Sequence, residues 1–199
     1  MARLALSKAS LHKEARQLTI YQRFLPSLDL KRKQLIAERS KARQALHETQ
    51  ARLTALQHIV GSELPMLADY EVGLEELVTI QRTELAEENL LGTRLPVLRA
   101  VQITRRAYSF LIRPHWVDQV QTLMTEALTL RVRIQVQQER LHRLDKAVQK
   151  ITQRVNLFDK VLIPRTRENI RKIGIFLADG ERAAVVRAKL AKSRHLDRG

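Results

Sequence analysis

The sequence has no cysteine, only six glycines and five prolines, and an aromatic content of 4% across 199 residues. Without cysteine, neither a disulfide framework nor a thiolate metal site can form, which fits an intracellular protein. A compact globular domain needs more aromatic side chains to fill its core and more turn-forming residues than this chain has. A charged fraction of 29% is better suited to long helices. The composition therefore favours a helix-rich protein over a compact globule.

Long hydrophobic runs are also missing. A membrane-spanning helix needs roughly 18 to 20 consecutive apolar residues, and no segment of the chain approaches that length. Residues 1–11 lack the continuous apolar stretch that a signal peptide carries. We therefore expect a soluble or peripheral protein without direct membrane insertion.

The formal net charge of +15 is distributed unevenly. Residues 1–60 hold 12 basic and 4 acidic side chains, residues 61–115 hold 6 and 8, and residues 116–199 hold 18 and 9. Blocks of charge report on separate surfaces. We accordingly divide the chain into an N-terminal helix over 1–62, a middle insert over 63–115, and a C-terminal helix with a basic tail over 116–199.

The last third carries a long heptad pattern. Alternating steps of three and four residues from Trp116 to Leu162 fall on apolar side chains, with Gln137 the one polar exception. A 3.5-residue repeat of this length makes a stripe that packs against one partner helix in a left-handed supercoil. The predicted seam residues of this helix are Leu123, Leu130, Ile134, Leu141, Leu144, Val148, Ile151, Val155, Phe158 and Leu162.

The first third carries a matching but weaker stripe. Its predicted seam residues are Leu18, Leu25, Leu28, Leu35, Leu46 and Leu53. Two stripes of similar length, separated by an insert that can reverse the chain, are most simply satisfied by each other. The sequence therefore predicts an all-α dominated fold in which the terminal segments form a long antiparallel two-helix coiled coil, with Val60 near Trp116 and Leu11 near Pro164.

The middle insert has a different character, because glycine and proline punctuate it. The β-favouring stretches Leu77–Thr83 and Leu95–Ile103 predict a short β-hairpin, and we also expect a short helix in the insert. The segment Arg105–Arg113 is either another strand or the lead-in to the last helix. We place the start of that helix after Pro114.

Two prolines, Pro26 and Pro164, fall inside the predicted helices. Each removes a backbone hydrogen bond, so a kink is expected at each position unless neighbours compensate. The apolar stripe also changes phase at Pro164, because it continues from Ile163 through Ile173, one residue out of step with Leu162. A disturbed supercoil is expected there.

Glu139 and His142 have the E-x-x-H spacing of metal ligands in carboxylate-bridged helical bundles. Leu141 and Leu144 occupy the seam, however, so Glu139 and His142 point away from it, and no second such pair is present. The chain also lacks a nucleophile-elbow or phosphate-loop pattern. The sequence therefore predicts no metal site, no cofactor, no catalytic residue and no enzymatic activity.

A basic coiled-coil adaptor for nucleic acid or ribosomes is an alternative function. Arginines at 105, 106 and 113, with Tyr108 and Phe110 between them, offer phosphate contacts and stacking faces. The basic residues along both helices point around the helix, however, and do not focus on one stripe. Nucleic acid is therefore the less favoured partner.

The segment Thr152–Arg194 resembles the C-terminal helix of the D subunit of V-type and A-type rotary ATPases. That family has an Arg-Val-Asn stretch, an Ile-Pro pair, an isoleucine-rich turn and a Glu-Arg pair before a basic end. The matching residues here are Arg154, Val155, Asn156, Ile163, Pro164, Ile170, Ile173, Glu181 and Arg182. The segment Ser7–Leu35 is similar to the family's N-terminal helix, with its basic element at Leu30–Lys33, and Asn89–Val97 resembles the family's Asn-Ile-x-Gly followed by Pro-Val.

The resemblance implies a central-stalk rotor subunit, one copy per complex. Such a subunit transmits torque between ATP hydrolysis or ATP synthesis in a ring and ion transport, including hydrogen ion transport, across a membrane. The implied partners are the catalytic (A) and non-catalytic (B) subunits of the ring, the small F subunit of the stalk, and the funnel-shaped d or C subunit above the membrane ring. The implied location is cytoplasmic and peripheral to the membrane. We expect the partner-binding residues to include Lys31, Arg32, Lys33, Arg154, Asn156, Pro164, Arg167, Arg171, Glu181 and Arg182.

Overall fold

The computed structural model describes residues 4–65, 77–106 and 116–196, with side chains as far as residue 192. The elements in chain order are helix α1 (Lys8–Glu63), strand β1 (Val78–Leu90), strand β2 (Thr93–Arg105), helix α2 (Trp116–Asn156), a π-helical segment (Leu157–Leu162) and helix α3 (Ile163–Leu196). The predicted helix-dominated fold with a β-hairpin in the middle is confirmed. The expected short helix stays a prediction, because residues 66–76 and 107–115 of the insert, which include Tyr108, Phe110, Arg113 and Pro114, lie outside the described residues.

The chain forms two compact units. The terminal unit consists of residues 1–32 and 150–199, and the hairpin unit consists of residues 33–149. In the terminal unit α1 runs antiparallel to the later helices, because Glu14 accepts a hydrogen bond from the Asn169 amide at 3.2 Å and Tyr21 meets Phe158. This register places Leu11 opposite residues later in the chain than the predicted Pro164.

The core of the terminal unit follows the seam of its helices. Its buried side chains are Ile151, Val155, Ile163, Thr166 and Ile173. Each lies three, four or seven residues from the next, which is coiled-coil spacing, except that Val155 and Ile163 are eight residues apart. Helix α1 continues through Pro26, and the Ser27 hydroxyl donates to the Phe24 carbonyl at 2.8 Å.

The hairpin unit also contains an antiparallel pair of helices. Its interhelical contacts pair Arg39 with Asp145 at 3.5 Å and Arg52 with Glu126 at 3.7 Å. Residues that come later in α1 thus face residues that come earlier in α2. The buried apolar side chains of this unit are Leu35, Leu56, Leu64, Leu77, Val78, Leu95, Val117, Val120, Leu130, Leu144 and Val148.

Strands β1 and β2 form an antiparallel two-stranded sheet. The two-residue turn consists of Leu91 and Gly92, with φ of 52° and 81°, and the Asn89 side chain accepts a hydrogen bond from the Gly92 amide at 3.0 Å. Positive φ at both central residues is the conformation of tight hairpin turns whose twist matches that of the strands. The register shifts between Ile80 and Arg82, and again between Glu84 and Leu85.

The observed strands are longer than the predicted stretches. The two shifts place the extra residue on opposite strands, so the pairing of Val78 with Arg105 and that of Leu90 with Thr93 share one register. Because the turn fixes that register, the acidic end of β1 is held in the sheet despite its weak β propensity.

The base of the β-hairpin packs on the start of α2. Leu77, Val78 and Val117 form a buried cluster, and the side chains that pack against it are Ile103, Trp116, Met124 and Leu128. The buried Gln121 amide donates to the carbonyls of Leu77 at 3.3 Å and Arg106 at 3.1 Å. The apolar cluster and these two hydrogen bonds fix the base of the hairpin to the helix.

Candidate interaction surfaces

The basic charge of the protein is concentrated in the terminal unit. Residues 1–32 and 150–199 hold 20 Lys and Arg against 7 Asp and Glu, a net charge of +13, while the hairpin unit holds 16 against 14. Basic residues in this density create a positive potential that attracts acidic partners.

The predicted partner-binding residues are spread along the helices and do not form one patch. Lys31 and Arg32 are half-buried, and Arg32 forms an ion pair with Asp29 one helical turn earlier. Lys33 is exposed and belongs to the hairpin unit. The others are exposed in the terminal unit: Arg154, Asn156, Pro164, Arg167, Arg171, Glu181 and Arg182.

The last part of α3 is open to solvent. Every side chain from residue 181 to residue 192 is exposed, including the apolar Val185 and Val186, which are each 56% exposed. Arg182 forms an ion pair with Asp179 at 3.5 Å on the same helix, and exposed pairs of this kind contribute about 0 to 1 kcal/mol. This length of helix is therefore accessible for contact with another molecule.

A second exposed apolar surface lies beside the contact between Tyr21 and Phe158 in the terminal unit. Ile20 and Phe24, four residues apart on α1, are exposed, and so are Leu157 and Val161 in the π-helical segment. The sequence stripe did not reveal this surface, because none of these four residues occupies the heptad seam.

The tip of the β-hairpin is attached to α2 by charged groups. The Arg140 guanidinium donates to the Glu88 carboxylate at 2.9 Å. The Arg143 guanidinium donates to the Arg94 carbonyl at 3.3 Å and lies 3.7 Å from the Glu87 carboxylate. The sequence held no local signal for this contact, because the glutamates and the arginines are far apart in the chain.

The Glu139 carboxylate forms an ion pair with Arg143 on the same helix. The carboxylate accepts a hydrogen bond from Arg143 at 2.7 Å. This hydrogen bond lowers the pKa of Glu139 and raises the pKa of Arg143. His142 is exposed, and within the described ranges no three His, Cys, Asp or Glu residues form a group that could hold a metal ion.

The amide oxygen of Gln137 is buried at a seam position of the hairpin unit. The Gln137 Oε1 atom is inaccessible and has no hydrogen-bond partner among the residues that the structure describes. It borders a groove of about 260 Å³ that is lined by Glu38, Lys41, Ala42, Ala45, Gln137 and Arg140. Small alanines opposite Gln137 leave the packing loose at this level of the helix pair.

The predicted seam residues are all buried or half-buried. Those below 9% exposure are Leu35, Leu130, Leu144, Val148, Ile151 and Val155. Half-buried are Leu18, Leu25, Leu28, Leu46, Leu53, Leu123, Ile134, Leu141, Phe158 and Leu162. None of the helices in the described parts of the chain is both long and apolar enough to cross a membrane.

Comparison with known proteins agrees with the resemblance seen in the sequence. The family of the ATP synthase D subunit matches residues 10–193. The V-type ATP synthase D subunit of Borreliella burgdorferi is 28% identical over 193 residues, which cover 97% of this chain and 95% of that protein. The protein of the same name from Chlamydia muridarum is 32% identical over 195 residues, covering 97% and 96%. The chain therefore belongs to the family of ATP synthase D subunits.

Proposed function

We propose that the chain is the central-stalk rotor subunit of a V-type ATP synthase or ATPase. The observation that supports this most directly is the family match over residues 10–193, together with antiparallel helix pairs in both units that such a role would use. A rotor must resist twisting, and interlocked seam side chains such as Leu144 and Ile173, both fully buried, resist sliding between helices.

The surface suits rotation within a ring. The exposed side chains of the terminal unit include many arginines and lysines, whose solvated contacts contribute about 0 to 1 kcal/mol each. Such contacts form and break as the rotor passes successive ring subunits. An asymmetric rotor in a threefold ring touches each catalytic interface differently, so the three interfaces are held in different states.

The terminal unit is the part that we assign to the ring of A and B subunits. Its net charge of +13 and the exposed end of α3 provide the contact surface, with Arg154, Arg167, Arg171 and Arg182 as contributors. The small F subunit and the funnel-shaped subunit are then partners of the hairpin unit. In this role the protein is non-catalytic, cytoplasmic, peripheral to the membrane and present once per complex.

Co-purification with the ring tests this function. The full chain should bind a reconstituted ring of A and B subunits and show no ATPase activity alone, while a chain that ends at Gly180 should bind the ring far more weakly. Arg133→Ala, an exposed change in the hairpin unit, is the matched control and should bind as the parent chain does. A full chain that stays monomeric beside an assembled ring would contradict the proposal.

A nucleic-acid adaptor is the second candidate, and the charge of the terminal unit is the observation that favours it. Binding through phosphate contacts would weaken steeply as salt increases, because counterions are released on binding. A gel-shift titration with RNA and DNA between roughly 50 and 200 mM salt tests this. Absent or salt-insensitive binding removes the adaptor function.

A further inference from the structure

The helix that follows the insert changes its hydrogen-bonding pattern at Leu157–Leu162. These six residues are π-helical, and the Ile163 amide donates to the Phe158 carbonyl, five residues earlier. π-helical turns are rare, and a single turn of this kind inside an α-helix accommodates one extra residue. The structure therefore contains a local insertion between α2 and α3.

The pattern of burial shows where the extra residue is accommodated. Val155 and Ile163 are both 6% exposed and are eight residues apart, whereas a heptad repeat requires seven. In an uninterrupted α-helix, one extra residue would rotate every later side chain by about 100° around the axis. The π turn absorbs this rotation, so Ile163, Thr166 and Ile173 remain buried.

Pro164 also favours a π turn at this position. In a regular α-helix the proline ring would clash with the carbonyl of Lys160, four residues earlier. A wider turn immediately before the proline separates these groups. The side chains on the outside of the turn, Leu157 and Val161, are about half exposed, so the seam loses no core residue to the insertion.

We propose that Leu157–Leu162 accommodates a one-residue insertion, so that the helix segments before and after it both pack on α1 although their apolar stripes are out of phase. The same turn acts as a torsionally compliant joint. The π turn supplies compliance because it interrupts the α-helical hydrogen-bond pattern and can exchange with the much commoner α geometry. Conversion between π and α geometry would rotate α3 relative to residues 150–156. The insertion follows from the geometry alone, whereas the mechanical role of the joint rests on the proposed rotor function.

Two single-residue deletions distinguish a one-residue insertion at the π turn from a general loss of stability on any deletion in this helix. Both are made in a Pro164→Ala background, so that the proline clash does not affect either. Deletion of Val161 removes the extra residue within the π turn and leaves Val155 and Phe158 in the seam. Gln153 is exposed in a regular turn of the helix. Its deletion brings the residues from Ile163 onward into the same heptad phase as the Val161 deletion does, but it moves Val155 and Phe158 out of the seam.

The first measurement is thermal unfolding of the isolated full chain. The Val161 deletion should unfold within about 3 °C of Pro164→Ala or above it, and the Gln153 deletion should unfold at least about 5 °C lower, since each kcal/mol corresponds to roughly 2 to 4 °C in a chain of this size. Amide exchange at residues 157–163 should also slow by roughly threefold to tenfold in the Val161 deletion. Equal loss of stability in both deletions would overturn the insertion.

The second measurement is the torsional stiffness of the rotor in the assembled complex, observed by single-molecule rotation. The Val161 deletion should be stiffer than Pro164→Ala, because a continuous α-helix replaces the π turn. Unchanged stiffness in a stable, assembled variant would overturn the joint. If the parent chain itself does not enter the ring, the rotor function fails, and the unfolding comparison still decides the insertion.

Discussion

The ring of Tyr21 meets the ring of Phe158 edge to face, with ring centroids 5.4 Å apart and an interplanar angle of 86°. This geometry directs the positive edge of one ring at the negative face of the other, which is a preferred arrangement for aromatic pairs. Phe158 lies in the π-helical segment, so the contact connects α1 to the irregular turn itself. It fixes the helix pair at the point where the backbone hydrogen-bonding pattern changes from α to π.

Removal of this aromatic contact should destabilise the terminal unit. We expect Phe158→Ala to lower the free energy of unfolding by about 1 to 3 kcal/mol, below the range for fully buried phenylalanine because the ring is half-buried. A double-mutant cycle with Tyr21→Ala should give a coupling energy of about 0.5 to 1.5 kcal/mol. Urea unfolding measures both quantities. A coupling energy of zero would show that the rings pack independently.

The seam and the outer face of α2 should respond very differently to substitution. Leu144 is fully buried, so Leu144→Asp buries an unpaired carboxylate and should destabilise the protein by at least about 4 kcal/mol. Glu139 is exposed, and Glu139→Ala should leave stability nearly unchanged. Circular dichroism with urea unfolding distinguishes the two. A folded Glu139→Ala variant without function would reopen the question of a site there.

The heptad stripe predicted the helices and their antiparallel pairing, because a 3.5-residue repeat has one simple structural solution. It did not determine the register. Glu14 contacts Asn169, and the stripe repeats along the helix, so a slip of several residues between α1 and the later helices leaves apolar side chains facing each other. Polar contacts such as this one distinguish registers that the apolar pattern leaves equivalent.

The phase change at Pro164 was visible in the sequence, but its structural solution was not. A shift of one residue in the stripe is compatible with a kink, a local unwinding of the supercoil or a π turn. The choice depends on whether Val155 and Ile163 both stay buried, which is a property of the packed helices. The contact between the hairpin tip and α2 also depends on tertiary packing, since Glu88 and Arg140 are far apart in sequence.

The hairpin tip should detach from α2 when Arg140 is replaced. The Arg140 side chain is 22% exposed and its partner Glu88 is 51% exposed, so Arg140→Ala should cost only about 0.2 to 1 kcal/mol of global stability. Amide exchange near Leu90 should nevertheless become faster, because the tip loses its contact with the helix. High salt should have the same effect on the parent chain. Arg133→Ala, an exposed change on the same helix, should leave exchange at the tip unchanged.

The ion pair between Glu139 and Arg143 predicts a shifted titration. The hydrogen bond from Arg143 stabilises the charged carboxylate and lowers the pKa of Glu139. Any stability from this pair is therefore present above the ordinary pKa of glutamate, about 4.3, and is lost as pH falls through the lowered value. An NMR titration of the Glu139 side chain should give a lower midpoint in the parent chain than in Arg143→Ala. Equal midpoints would show that the pair does not persist in solution.

Replacement of the buried amide in the seam should stabilise the protein. Gln137 Oε1 is inaccessible and unpartnered among the described residues, and an unsatisfied buried polar group costs about 1 to 3 kcal/mol. Gln137→Leu removes that cost and fills part of the groove beside Ala42 and Ala45, so urea unfolding should show a gain of roughly 1 to 2 kcal/mol.

The same substitution should also relax the specificity of helix pairing. A polar residue in an otherwise apolar seam disfavours alternative registers at a cost in stability. Cysteine pairs introduced at the Arg39 and Asp145 positions, whose native side chains form an ion pair between the two helices, report the native register through a short bifunctional thiol crosslinker, and pairs offset by one heptad report slippage. Gln137→Leu should increase the offset product, whereas Gln138→Leu, a change at a neighbouring exposed position, should not. A Gln137→Leu variant that is less stable than the parent chain would show that the amide oxygen is satisfied in solution and that the polar residue supports the helix pair directly.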